Sequence, residues 1–342
     1  MSKVTGTFYG ESRVFAYPLL DFNNVPPLTP TTPTVGGDQA ALQLTNEGGE
    51  DGSSWRIFGH SAVMCTPDQN GLPELTPVNL QIQRQDTQQL WVGSSATNSQ
   101  PQNNADLGAP LEHLAGKAGM PGFFSYAKSV PYGTRLIPKV AHQAATTPTG
   151  RTPLYLVAHA ALSRGGAGAQ KMQIGSRNFQ QLKYRGEWIY YTARLPYSAA
   201  APLAVNTGAS ITLPIAVRQY FFIDSLWCRA VKITEEEPNI FLPYSSSNPQ
   251  VFEDEILVSL RDTTQRSPFT VPGFVPLWSV FGPWAARYFH PPTCFVVRPN
   301  GNLEIDVQNG PTAAVEYNLE FTIGGVLVDK PDTQIVEQLQ GA

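Results

Sequence analysis

Short apolar runs closed by turn-forming residues fill the C-terminal third of the chain. Between Tyr220 and Val328 they read YFFIDSLWCRAVKI, EDEILVSLRDTTQ, VPLWSVFG, TCFVVRPNGNLEIDVQNG and AAVEYNLEFTIGGVLV. Val, Ile, Leu, Phe and Tyr dominate each run, and Gly, Pro, Asn or Asp closes it, which is the pattern of strands separated by turns. Leu303-Glu304-Ile305-Asp306-Val307 alternates apolar and polar positions, as a strand with one wet face does. Pro299-Asn300-Gly301-Asn302 predicts the tight turn before it, since Asn and Gly tolerate positive φ. Helical spacing is nowhere sustained. The stretch predicts an antiparallel β-sandwich.

A similar order of elements precedes it. Trp55 to Met64 (WRIFGHSAVM) and Val78 to Val92 (VNLQIQRQDTQQLWV) are followed by LEHLAG, PYGTRLIPKVAHQ and RTPLYLVAHAALSRGG. Leu111-x-x-Leu114-Ala115-Gly116 falls on Leu277-x-x-Val280-Phe281-Gly282, 166 residues further on, and Pro131-Tyr132-Gly133 on Pro299-Asn300-Gly301, 168 further on. Arg84-Gln85-Asp86-Thr87 is echoed by Arg261-Asp262-Thr263. Val140 to Gln143 falls near Val307 to Asn309, and Leu154 to Leu162 near Val315 to Phe321. The matches keep their order and spacing, so the sequence predicts two tandem copies of one sandwich.

The expected organisation is a Pro-rich N-terminal arm (1–38), a first sandwich (39–165), a connector (166–209), a second sandwich (210–328) and a C-terminal tail (329–342). The arm holds NNVPPLTPTTPTVGG, whose prolines fix φ and remove backbone donors, so it should run extended over a surface. Its aromatic residues, Phe15 and Tyr17 among them, point to an arm that orders on a neighbouring subunit. In the connector, Trp188, Tyr190 and Tyr191 are expected to pack between the sandwiches, while Trp278, Phe281 and Trp284 surround Gly282-Pro283 in an apolar stretch and are expected at a sheet or subunit interface.

Composition narrows the function. Charged residues are 15% of the 342, beside 30 prolines and 29 glycines, which suits an all-β protein whose surface is largely covered by neighbours. A net charge of −4 provides no broad positive field for nucleic acid. Cys65, Cys228 and Cys294 are too few and scattered for a disulfide framework, and no leader or apolar run of membrane-spanning length is evident, which predicts assembly in a reducing cytoplasm.

Candidate chemistry is sparse. The five histidines stand singly, without metal-ligand spacing. RGGAGAQ lacks the spacing of a phosphate loop, NEGGEDG that of a calcium loop, and neither a G-x-S-x-G elbow nor a cysteine nucleophile signature occurs. The acidic runs Glu235-Glu236-Glu237 and Glu253-Asp254-Glu255 read as solvated loop and strand edge. No catalytic residue, cofactor or metal site is expected.

Two tandem jelly rolls, with the run PTCFVVRPNGNLEIDVQNG (Pro292 to Gly310) leading into a strand and Gly-Gly, resemble the double-jelly-roll major capsid proteins of tailless icosahedral viruses, many of them membrane-containing bacteriophages. The resemblance implies a non-enzymatic virion protein, assembled in the host cytoplasm. It also implies a homotrimer whose six jelly rolls form a pseudo-hexagonal tile of the capsid lattice. The partners implied are further copies, penton or minor capsid proteins, and an internal membrane reached by the termini, with no sequence-specific nucleic acid. Family members commonly carry a basic or amphipathic terminal element; here Ser2 to Tyr9 holds one lysine. The alternatives are an auxiliary phage head protein (cement, decoration or spike) with a single jelly roll, and a carbohydrate-binding sandwich using Trp91, Trp188, Trp278 and Trp284.

Overall fold

The computed structural model describes residues 12–20, 54–64, 78–84, 109–117, 121–131, 136–142, 154–163, 172–174, 177–179, 186–197, 200–214, 219–231, 256–265, 268–270, 273–282, 291, 295–310, 314–316 and 318–329. The expected acidic turn at 46–52, the Gly-rich stretch at 164–170, the acidic runs at 235–237 and 253–255, Cys65, Trp91, Trp284, His290, Cys294 and the tail beyond 329 lie outside them.

The first half contributes β1 (Ser12–Leu20), β2 (Ser54–Met64), β3 (Val78–Arg84), β4 (Ala109–Pro110), α1 (Leu111–Leu114), β5 (Ala115–Lys117), β6 (Gly122–Pro131), β7 (Leu136–His142) and β8 (Leu154–Ser163). A hairpin of β9 (Met172–Ile174) and β10 (Arg177–Phe179) follows. The second half contributes β11 (Gly186–Leu195), β12 (Gly208–Pro214), β13 (Gln219–Val231), β14 (Ile256–Asp262), β15 (Val275–Pro276), a 3-10 turn (Leu277–Ser279), β16 (Phe295–Val297), β17 (Asn302–Asn309) and β18 (Asn318–Asp329).

In the second half, β11-β18-β13-β16 and β12-β17-β14-β15 form two antiparallel sheets, the interleaved order of an eight-stranded jelly roll. Their facing sides close a core that includes Phe221, Ile223, Leu226, Leu260, Leu277, Phe281, Ile305, Phe321 and Ile323. Strand β17 shows why the fold forms locally: Leu303, Ile305 and Val307 are buried while Glu304 and Asp306 stay at the surface, as the alternation predicts. The predicted tight turn is also present. The Gly301 N–H donates to the Arg298 carbonyl at 2.9 Å, and Asn300 takes φ 62°. Gly301 is required there, because a Cβ would sit 2.4 Å from Asp262 Oδ1.

The first half repeats this order. β1-β8-β2 with β6 on the far side of β2 matches β11-β18-β13-β16, and β4-β3-β7 matches β15-β14-β17; no counterpart of β12 is described. The fold is therefore all-β, two jelly rolls in tandem. Local detail supports the duplication more strongly than strand order does. Both repeats place a short helical turn before a parallel contact with the long central strand: Ser61 pairs with Gly116, and Trp227 with Gly282, 166 residues on in each partner. Both central strands carry a bulge, between Ile57 and Gly59 and between Ile223 and Ser225, again displaced by 166.

Three expectations need correction. The supposed arm contains β1, which pairs along its length with β8 of its own chain, so Phe15 and Tyr17 lie opposite Ala158 and Leu156 rather than on an arm reaching a neighbour. The supposed connector contains β11, which pairs with β18, so the second sandwich takes its outer strand from residues before 210. Each run has local strand character, but its membership of a sandwich is set by a pairing partner far along the chain. The third correction is one of register. Val63 pairs with Tyr155 and Arg229 with Glu320, so β8 maps onto β18 at a spacing of 165, and Leu154 does not fall near Val315.

Candidate functional site at the junction of the two halves

A jelly-roll sheet has a second face, directed away from its own core. On β11, β13 and β18 that face carries Tyr190, Thr192, Trp227, Arg229, Glu320 and Thr322, and all are buried. The near-continuous apolar character of Tyr220 to Val231 is what a strand covered on both sides requires. The covering element is α1 of the first half. Its Glu112 and His113 follow Pro110, which starts the turn and projects them at the second sandwich.

Arg229 is the centre of the site and only 1% exposed. Its Nε donates to Glu320 Oε2 at 3.0 Å within the same sheet, and Nη2 reaches the same oxygen. Nη1 donates across the junction to Glu112 Oε1 at 3.0 Å and Oε2 at 3.3 Å. Arg194 on β11 brings Nε to 3.5 Å from Glu320 Oε1, adding a second cation to the cluster. Burial disfavours the Arg229 cation, yet Glu112 and Glu320 outweigh it and raise the guanidinium further. Burial lifts the Glu112 carboxyl above its ordinary range against the pull of Arg229. A buried arginine between two carboxylates is a pairing that desolvation makes costly to break.

His113 lies beside this cluster, buried. It shares a hydrogen bond of 2.8 Å between Nδ1 and Thr322 Oγ1, and its ring stacks on Trp227 at 6.2 Å between centroids and 14° between planes. Burial, then the Arg229 charge, holds its imidazole well below the ordinary value, so it is neutral in the folded chain. The unfolded chain takes up a proton near the reference value of about 6.5. Below that pH the unfolded state binds more protons, and this contribution to stability is lost as the pH falls. Glu112 works the other way, because its raised pKa lets the folded state bind a proton first. Beside the Arg229 charge, a backbone hydrogen bond at Cys228 acts on the ring and opposes the lowering, and Arg229 is in turn paired with Glu320 and Glu112. Melting temperatures of the parent and His113→Asn between pH 7.5 and 5.5 isolate the histidine. The parent is expected to lose more on acidification, and parallel curves would contradict the assignment.

The arrangement joins the two sandwiches through a buried charge cluster and a stacked ring. Among the described residues, no group of three His, Cys, Asp or Glu side chains is placed to hold a metal ion, and no helix is long and apolar enough to cross a membrane.

The residues singled out in the sequence fall elsewhere. Trp188 stands on β11 opposite Val326, Trp278 occupies the 3-10 turn, and Trp284 is outside the described residues. Phe281 is buried in the second core, edge-on to Phe321 at 5.0 Å. Tyr190 faces the junction side, but Tyr191 turns into the second core against Phe221, correcting its expected place between the sandwiches. Glu112, His113, Trp227, Arg229 and Glu320 were missed. A signal was present: Asp224 and Arg229 in one largely apolar run and Glu320 in another are charges that must be paired if their strands are covered on both faces.

No family model matches the chain, and no curated protein does either. Among solved structures it is similar to the crystal structure of the STIV MCP, at 10% identity and TM-score 0.36 over 96% of this chain and 99% of that one. A likeness that loose decides neither family nor function.

Proposed function

We propose that the chain is a virion structural protein, the subunit that trimerises into pseudo-hexagonal tiles of an icosahedral phage shell. The observation supporting this best is the double jelly roll itself, with both repeats carrying matching strand orders, the same bulge and the same turn-to-strand contact. An auxiliary head protein built from one jelly roll on an unrelated N-terminal domain has no use for a matched pair.

On this reading the chain is not an enzyme, its principal partner is itself, and penton or minor capsid proteins and an internal membrane adjoin the lattice. Its place is the virion, after assembly in the host cytoplasm. The native mass of the purified chain tests this, with negative-stain images alongside. Three chains per particle and hexagonal tiles are expected; a lone chain that turns over glycan substrates would overturn it.

A further inference from the structure

A sheet ends in strands whose outer backbone groups lack a ladder partner, and proteins blunt such edges against pairing with another chain. Most sheet ends of this molecule are blunted. β4, β5, β9, β10, β15 and β16 are only two or three residues long. β1 carries Arg13, Pro18 and a bulge, β6 carries Lys128, β7 carries Pro138 and Lys139, and β11 carries Glu187. Among the described strands β12 (Gly208–Pro214) is the exception. It ends its sheet, runs for seven residues in unbroken register with β17, and holds no charge. No charged residue occurs from Ala201 to Pro214, and most of that stretch is exposed, Val205 included.

The ladder to β17 decides which backbone groups of β12 are left over. The Asn309 N–H donates to the Thr207 carbonyl at 2.9 Å, which makes Gly208 and Gln308 a non-hydrogen-bonded pair. The bonds to β17 therefore fall on Ala209, Ile211 and Leu213. The N–H and C=O groups of Gly208, Ser210 and Thr212 point away from β17, and all three residues are exposed. On the inner face, Leu213 belongs to the core and Ala209 and Ile211 pack against it.

This edge is complementary to itself. Turned antiparallel about Ile211, β12 sets Ser210 opposite Thr212 of a second copy and Gly208 opposite Pro214, so residues with outward backbone groups meet as hydrogen-bonded pairs. Pro214, which lacks a donor, falls at the strand end. The nearest like charges are Glu304 and Asp306 on β17, and Arg261 Nε bonds Glu304 at 2.6 Å. In the joined sheet the two β17 strands stand three strand spacings apart, about 14 Å. That exceeds the screening length of about 8 Å at physiological salt, so repulsion does not oppose the pairing.

We propose that β12 pairs antiparallel with β12 of a second copy of this chain, joining two four-stranded sheets into one across a two-fold axis. The contact is isologous, using the same patch on both chains. It is separate from the three-fold contact of the tile and does not depend on it. Where tiles form, it links one tile to the next.

Amide exchange of the full chain at low and high concentration tests the pairing. In the dilute chain the Ser210 and Thr212 amides are expected to exchange fast beside the slow ones of Ile211 and Leu213. At high concentration they are expected to become protected. Thr212→Pro removes an outward donor and leaves the β17 ladder intact. It is expected to abolish the protection at Ser210 and the association in pairs, with the melting profile of the dilute chain unchanged. Ser210→Cys with Thr212→Cys identifies the occupant, since opposed residues lie about 5.5 Å apart at Cα, within reach of a disulfide. Mild oxidation is expected to link two chains of this variant on a non-reducing gel and none of the parent, which carries the same native cysteines. Fast exchange of Ser210 and Thr212 at every concentration overturns the inference, and three-chain particles under the same conditions leave the tile reading standing. Protection without an interchain link shows another segment at the edge and overturns the second copy as occupant. Two-chain particles that Thr212→Pro separates, with no three-chain particle, uphold the pairing while the tile reading falls.

Discussion

Replacing Arg229 with methionine is expected to lower the stability of the folded chain by about 3–5 kcal/mol, the range for removing one partner of a buried ion pair. The side chain is wholly buried and binds two carboxylates, one from each half of the molecule. Removing it leaves Glu320 buried with Arg194 Nε at 3.5 Å, and takes from Glu112 the guanidinium that pairs it while the Glu320 charge remains nearby. The loss comes from the carboxylates left behind more than from the pair itself. The triple variant Arg229→Met, Glu320→Leu, Glu112→Leu should therefore recover much of it, since well-packed apolar groups can replace a buried ionic triad at little net cost. Urea denaturation of the parent, single and triple variants measures both effects. A single variant within about 1 kcal/mol of the parent would show a junction that does not depend on its charges.

Phe281→Ala is expected to cost about 3–5 kcal/mol, the range for deleting a buried aromatic ring. The ring is 1% exposed, packs edge-on to Phe321, and lies two residues after the 3-10 turn, where the Phe281 N–H donates to the Leu277 carbonyl at 3.0 Å. The equivalent residue of the first repeat, 166 positions earlier, is already alanine: Ala115, also buried. The turn-to-strand contact therefore forms without the ring, and the cost measures the packing of the second core rather than the fold's need for an aromatic there. Thermal or urea unfolding gives the number. A variant of parental stability would place the ring outside the cooperative core.

Much of the architecture could be read from sequence because it depends on local periodicity. The alternation in β17, the Pro299-Asn300-Gly301 turn and the pairing of LEHLAG with LWSVFG each depend on a few adjacent residues, and each lies where its pattern predicts. What escaped depends on distant residues. β1 and β11 belong to their sandwiches because β8 and β18 pair with them, more than a hundred positions away. The junction escaped for a related reason: Glu112 and Arg229 meet across 117 residues, and neither neighbourhood announces the other. Charge within a largely apolar run was the one available clue, and it marks Asp224, Arg229 and Glu320 as partnered without naming the partner.

The bulge shared by both central strands sets the phase of everything after it. Before it, Phe221 and Ile223 turn inward; beyond Asp224 the inward residues are Leu226, Cys228 and Ala230, so one inserted position has exchanged odd for even. Were the strand to pair regularly through that residue, with no bulge, Trp227 and Arg229 would point into the oily interior, and Leu226 and Cys228 would face α1. A single extra amino acid thus decides which half of the strand's alphabet is available for holding the neighbouring module.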